Sequence, residues 1–146
     1  MFRGRHDHTI DKKGRVSIPA AFRTILARSE QAPIITNDKD HLTLHRFEDW
    51  EVFEQDLKAK SKLRPNVAKY TRVVIGEAMD CPIDSQGRIL IPPRLRKRAD
   101  LDGKATIAGT IDKIEIWNTE RYEADISDTL DHLDEVQVSV DQSPAA

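Results

Sequence analysis

The chain has 146 residues, 33% of them charged and 5% aromatic, with a formal net charge of −2. That length supports one domain with a real core, or two small units sharing one. No run approaches the roughly 18 consecutive apolar residues of a membrane span, and Cys81 stands alone, which excludes an intrachain disulfide or a cysteine-based zinc site. Met1-Phe2-Arg3-Gly4-Arg5 has no apolar stretch behind it, so no secretory signal is expected and a cytoplasmic protein is.

The charges are unevenly placed. Residues 1–28 carry seven Lys/Arg against Asp7 and Asp11, a balance of +5, and Lys58 to Arg72 holds six cations and no acid. Beyond Asn118 eight carboxylates oppose Arg121, a balance of −7. This asymmetry predicts a basic face and an acidic C-terminal segment, although a charge run is commonly just a solvated face.

In chain order, residues 1–10 set Arg3, Arg5, His6 and His8 around Asp7. His6 and His8 share a face if this is a strand, yet no third ligand follows at useful spacing. Phosphate or solvent is their expected neighbour, and no metal site is expected. Ile10 to Pro19 follows, with Gly14 marking a tight turn, because glycine tolerates a positive φ. Asp11 stands where its side chain can bond the turn amides, and Val16 and Ile18 alternate with Ser17 as in a half-buried strand. Pro19 ends that strand and suits a helix start, and Phe22, Ile25 and Leu26 then fall at helical spacing.

Pro33–Thr36 and Leu42–His45 read as short strands joined through Asn37-Asp38-Lys39-Asp40. Phe47, Trp50, Phe53 and Leu57 lie on one helical stripe, read as core or subunit contact. After a linker from Lys58, Pro65 opens a helix carrying Val67, Tyr70, Val74 and Ile75 and ending near Gly76. A second turn-and-strand unit covers Ile83 to Pro92, with Ile89-Leu90-Ile91 apolar on both faces and expected to be buried on both. A short basic helix from Pro92, a hairpin turning at Asp112-Lys113 and a helix bearing Tyr122, Ile126, Leu130 and Leu133 complete the pattern. Val136 to Ala146 is polar and acidic, and disorder is expected there.

The two turn units are a repeat. Ile10-Asp11-Lys12-Lys13-Gly14-Arg15-Val16-Ser17-Ile18-Pro19 matches Ile83-Asp84-Ser85-Gln86-Gly87-Arg88-Ile89-Leu90-Ile91-Pro92 in Ile, Asp, Gly, Arg, Ile and Pro at identical spacing. Ala21-Phe22-Arg23 then answers Arg94-Leu95-Arg96, and Leu42–His45 answers Ile114–Trp117. A period of about 70 residues is too long for an open solenoid and suggests a pseudo-symmetric pair sharing one core. Neither half could pair all its strand edges alone, so interleaving is expected.

Arg15 and Arg88 stand at equivalent places just past the two turns. They could simply pair with Asp11 and Asp84 to hold the turns, or be presented outward as a pair of cations, and both can hold together. With the F-x-G start at Phe2, the two D-x-x-x-R turns resemble the MraZ family of bacterial proteins, which is related to the AbrB-like regulators; the resemblance covers roughly residues 1–133. It implies an α+β, mainly β fold, a swapped-hairpin double-split β-barrel, and a ring-shaped homo-oligomer. It also implies a DNA-binding transcription regulator, expected to be a repressor associated with the nucleoid. The expected organisation is a first repeat over 1–57, a basic linker and helix over 58–76, a second repeat over 77–133 and an acidic tail over 134–146.

Lys/Arg contacts to phosphate supply most of the affinity for duplex DNA, and an arginine on a rigid turn can also contact guanine in a bidentate way. The expected DNA-contact residues are Arg15, Arg88, Lys12, Lys13, Arg3, Arg5, His6, His8 and Gln86, with Asp11, Gly14, Asp84 and Gly87 forming the turns. The expected partners are short direct repeats in promoter DNA and further copies of the chain, with no cofactor, small-molecule substrate or membrane. Catalysis is not expected, since neither a nucleophile triad nor a phosphate-binding or dinucleotide fingerprint is present. The alternative is an oligomeric protein-binding scaffold or antidote-type module on the same framework.

Overall fold

The computed structural model describes residues 1–144. Eight strands and six helices occur among them: β1 (Phe2–Thr9), β2 (Arg15–Ser17), α1 (Ala20–Leu26), β3 (Ile34–Asp38), β4 (His41–His45), α2 (Phe47–Lys58), α3 (Pro65–Val74), β5 (Met79–Asp80), β6 (Arg88–Leu90), α4 (Pro93–Arg98), β7 (Lys104–Ile111), β8 (Ile114–Asn118), α5 (Thr119–Asp131) and α6 (Leu133–Gln142). The fold is α+β. Six strands form one antiparallel sheet in the order β1-β7-β8-β4-β3-β5, while β2 and β6 pair only with each other as a two-stranded ribbon.

The sheet joins residues from both repeats. The N-terminal strand β1 pairs along its length with β7, Phe2 opposite Ile111 and Thr9 opposite Lys104, and β4 of the first hairpin pairs with β8 of the second. These long-range pairings occupy strand edges that either repeat alone would leave unpaired, and β1 and β5 are the edges that remain.

Alternation along the strands gives the sheet two differently used faces. One buries Phe2, Ile35, Leu42, Leu44, Ala105, Ile107, Ile114 and Ile116 against the ribbon residues Val16 and Ile89, Phe22 of α1 and Leu95 of α4. Phe2 meets Phe22 edge to face at 5.5 Å between ring centroids. Each buried Val, Ile, Leu or Phe among them contributes about 1.5–3 kcal/mol through the area it withdraws from water.

The other face carries helices. Ile34 packs with Trp50 of α2 and Val74 of α3, flanked by Phe47, Phe53 and Ile75. At the far end of the sheet Trp117 stands against Tyr122 of α5 at 5.7 Å. Asn118 caps α5 by accepting from the Arg121 amide. Phe47, Trp50 and Phe53 of the predicted stripe thus belong to a second, smaller core, while Leu57 is buried outside it.

Two expectations need correction. Ile89 and Ile91 are fully buried, but Leu90 is 57% exposed. The ribbon is covered on one side only, so the strand alternates rather than being buried on both faces. The acidic tail from 134, expected to be disordered over Val136 to Ala146, is helical as far as Gln142, within α6. Leu133, Val136 and Val140 recur there at i, i+3 and i+7, a helical period that its acidic composition masks. Ala145 and Ala146 lie outside the described residues.

His45 lies on the helix-bearing face beside Trp50, with its Nε2 2.9 Å from Thr43 Oγ1. Burial, aided by Lys113, pushes its pKa down to about 4 from an ordinary 6.5. The unfolded chain therefore binds a proton that the folded one refuses, so this stabilisation is complete above about pH 6.5 and fades as pH falls toward 4. Chemical denaturation at pH 7 and pH 5 is expected to show a loss on the order of 2 kcal/mol. A His45→Gln variant with the same loss would assign it elsewhere.

Candidate nucleic-acid interface

Each D-x-x-x-R segment is a turn locked by its own aspartate. Asp11 Oδ1 accepts from the amides of Lys13 at 3.0 Å and Arg15 at 2.8 Å, and the backbone closes with Asp11 N to Arg15 O and Gly14 N to Asp11 O. Asp84 does the same with Gln86 at 2.8 Å and Arg88 at 3.0 Å. Gly14 and Gly87 take φ of +90° and +77°, the left-handed conformation that lets each chain reverse.

The two turns are also tied to each other. Ile18 N donates to Gly87 O and Ile91 N donates to Gly14 O, both at 2.9 Å, so each turn extends the other repeat's strand. In the ribbon Arg15 stands opposite Leu90, Val16 opposite Ile89 and Ser17 opposite Arg88. Directly opposed residues share a face. Val16 and Ile89 therefore point into the core, and Arg15, Ser17, Arg88 and Leu90 form one outward surface.

The arginines pair with the turn aspartates and also keep part of their surface open to solvent. Arg15 Nε donates to Asp11 Oδ2 at 2.7 Å, Arg88 Nε lies 3.4 Å from Asp84 Oδ2, and Arg88 Nη1 reaches 4.0 Å from Asp11 Oδ2 across the ribbon. Their side chains nevertheless stay 33% and 27% exposed. The amides of Arg15 and Arg88, followed by the ion pairing, hold Asp11 and Asp84 below the usual carboxylate range. Ionised carboxylates fixed in this way brace the guanidiniums and leave neither acid able to donate a proton near neutrality.

Sequence reasoning missed two further arginines. Arg23 of α1 lies over Gly87 and donates to Ile18 O at 3.1 Å, while Arg96 of α4 lies over Gly14. A helix from each repeat thus covers the turn of the other. The signal was present in the alignment of Ala21-Phe22-Arg23 with Arg94-Leu95-Arg96, but only the fold shows that the pair crosses over. Lys12, Lys13, Ser85 and Gln86 complete the exposed turn tips.

The N-terminal basic residues separate. Arg3 and Arg5 pair with Thr110 and Ala108 on the helix-bearing face, away from the ribbon. Arg5 ion-pairs with Asp7 and Glu123 and lies 5.0 Å over the Tyr122 ring, so it holds α5 to the sheet. His6 and His8 point to the other face, where His6 meets Phe22 edge-on at 5.4 Å. In α4, Arg94 and Arg98 pair with Glu77 at 3.4 and 2.8 Å.

Gly14→Ala is expected to lower stability by about 1–2 kcal/mol, through strain at positive φ and displacement of the Arg96 guanidinium. Equilibrium unfolding checks this. A neutral result would show that the turn relaxes freely.

Comparisons with known proteins place the sequence in one family. The model of the MraZ protein family, described as antitoxin-like, matches residues 1–72 and 74–137. The transcriptional regulator MraZ of Marinomonas sp. is 39% identical over 142 residues, covering 94% of each chain. Its namesake from Limosilactobacillus reuteri is 39% identical over 93% of this chain and 94% of its own, and that of Azotobacter vinelandii 39% identical over 84% and 82%. The two D-x-x-x-R turns thus sit in a chain that resembles these regulators along most of its length, and it belongs to the MraZ family.

Proposed function

We propose that the chain is a DNA-binding transcription regulator, with no catalytic role, whose reading element is the outward face of the β2–β6 ribbon. The observation that carries this is the placement of Arg15 and Arg88 on one face by two reciprocally bonded turns. The major groove of B-DNA admits a two-stranded ribbon as well as a helix. Arg15 and Arg88 would reach base edges or phosphates, Lys12, Lys13 and Gln86 would meet the backbone, and exposed Leu90 offers an apolar contact of the kind that a thymine methyl accepts. Arg23 and Arg96 stiffen the turns from behind. The names of the relatives support a role in transcription.

The finer reading joins two repeats, 1–57 and 77–133, through 58–76 in a swapped-hairpin double-split barrel, supported by the β2–β6 and β1–β7 pairings. One chain with a net charge of −2 offers few cationic contacts. A ring of copies presenting the ribbon at fixed spacing would let weak contacts add through effective concentration. It would select short direct repeats about one helical turn apart, and occupancy of such a promoter site would repress it in the cytoplasm, at the nucleoid.

The test is a salt titration of binding to the DNA upstream of the protein's own gene, for wild type, Arg15→Ala and Arg88→Ala. Each arginine is expected to contribute about 1–3 kcal/mol, or 5- to 150-fold, and to reduce the salt slope by about one per lost phosphate contact. Equal binding by all three proteins at unchanged oligomer size would make the turns structural. A protein-directed scaffold would then be the better reading.

A further inference from the structure

The outward face of the β2–β6 ribbon is a square of four side chains whose symmetry is broken at one pair of corners. The repeat relates the two strands by a pseudo-twofold axis through the Val16–Ile89 pair, so Arg15 exchanges with Arg88 and Ser17 with Leu90. Arg15 lies across from Leu90 and Ser17 across from Arg88, which puts the arginines on one diagonal and Ser17 and Leu90 on the other. The arginine diagonal is alike at both ends. The other is not: Ser17 is half-buried and offers a hydroxyl that donates or accepts, while exposed Leu90 offers only methyl groups.

The bracing by the aspartates is uneven in the same sense. Asp11 Oδ2 takes Arg15 Nε at 2.7 Å and also lies 4.0 Å from Arg88 Nη1. Arg88 Nε stands 3.4 Å from Asp84 Oδ2 and makes no hydrogen bond among the described residues. Arg88, the neighbour of Leu90 on β6, is therefore the guanidinium freer to turn toward a base.

Three residues per strand span about 7 Å, or roughly two base-pair steps of duplex DNA. Phosphate contacts from the turn tips hold the ribbon in place there but carry no base sequence. Direction along the sequence has to come from base edges, and the two arginines present the same chemistry whichever way the ribbon lies. We propose that Leu90 and Ser17 give the ribbon its direction on DNA. Leu90 lies against the 5-methyl group of a thymine at one end of a non-palindromic box, and Ser17 meets a hydrogen-bonding base edge at the other. This assignment rests on the ribbon being the DNA-reading element and adds the base chemistry accepted at each end.

The test is a deoxyuridine scan of the promoter DNA upstream of the protein's own gene. Each thymine of one box is replaced in turn, so that only a methyl group is lost. Wild type should lose about fourfold in affinity at one thymine, the equivalent of one buried methyl group, and nothing at the others. Leu90→Ser should abolish that sensitivity. The exchange variant Ser17→Leu/Leu90→Ser should prefer the same promoter with its boxes inverted in place, where wild type prefers the natural direction. Both side chains face outward, so thermal unfolding should be unchanged, and the scan on wild type needs no variant at all. A scan with no sensitive thymine, sensitivity that persists in Leu90→Ser, or a folded exchange variant that keeps the wild-type direction would overturn the assignment. Arg15→Ala and Arg88→Ala on the same DNA separate the two readings. Arginine variants that lose affinity beside a flat scan remove only the direction, whereas arginine variants that bind like wild type remove the ribbon reading and the direction with it.

Discussion

The rest of the structure depends on one small interaction, a carboxylate accepting two backbone amides inside a five-residue turn. In isolation each Asp lock contributes modestly, because both carboxylates lie near solvent. Its effect is geometric. With Asp11 and Asp84 fixing the amides, and Gly14 and Gly87 supplying positive φ, each turn offers its carbonyl to the strand of the other repeat. The ribbon then has one register, and that register decides which side chains face the core. A slip of one residue would turn Arg15 or Ser17 inward in place of Val16, or Arg88 or Leu90 in place of Ile89.

That register also divides the molecule into two working surfaces. The core lies between the large sheet and the ribbon, and the ribbon's exterior is cationic and braced from behind by Arg23 and Arg96. The opposite face of the sheet is covered by helices, with the smaller aromatic core at one end and the α5 anchor at the other. Contact with nucleic acid and contact between copies therefore need not compete for the same residues. The overall charge of −2 conceals this separation, since the acidic helices offset the basic turns in the sum but not in space.

Much of this was legible in the sequence. The repeated Asp, Gly and Arg marked the turns, short apolar runs between turn residues marked β2, β3, β4, β7 and β8, and the Phe47–Leu57 stripe marked α2. These are local signals, set by residues a few positions apart. What escaped depends on distant partners. Arg3, Arg5, Lys12 and Lys13 look like one basic segment, yet strand pairing sends Arg3 and Arg5 to the far face, and Arg5 is captured by Glu123. Leu90 sits in an apolar triplet whose burial depends on whether a second layer covers the ribbon. The crossing of Arg23 and Arg96 over the opposite turns follows from interleaving, which no local pattern records.

The central claim is that the ribbon, and not the helix-bearing face, lies against DNA. Cys81 is buried, with its thiol pushed up to about 12, so a single cysteine introduced elsewhere can be labelled selectively. The direct measurement attaches a DNA-cleaving iron chelate at Ser85→Cys on the turn tip or at Lys69→Cys on α3, and maps cleavage of bound promoter DNA. The account predicts sharp, periodic cuts from the Ser85 probe and only weak, diffuse cuts from the Lys69 probe. Strong localised cleavage from Lys69 with none from Ser85 would contradict it, and would place DNA on the basic helix surface.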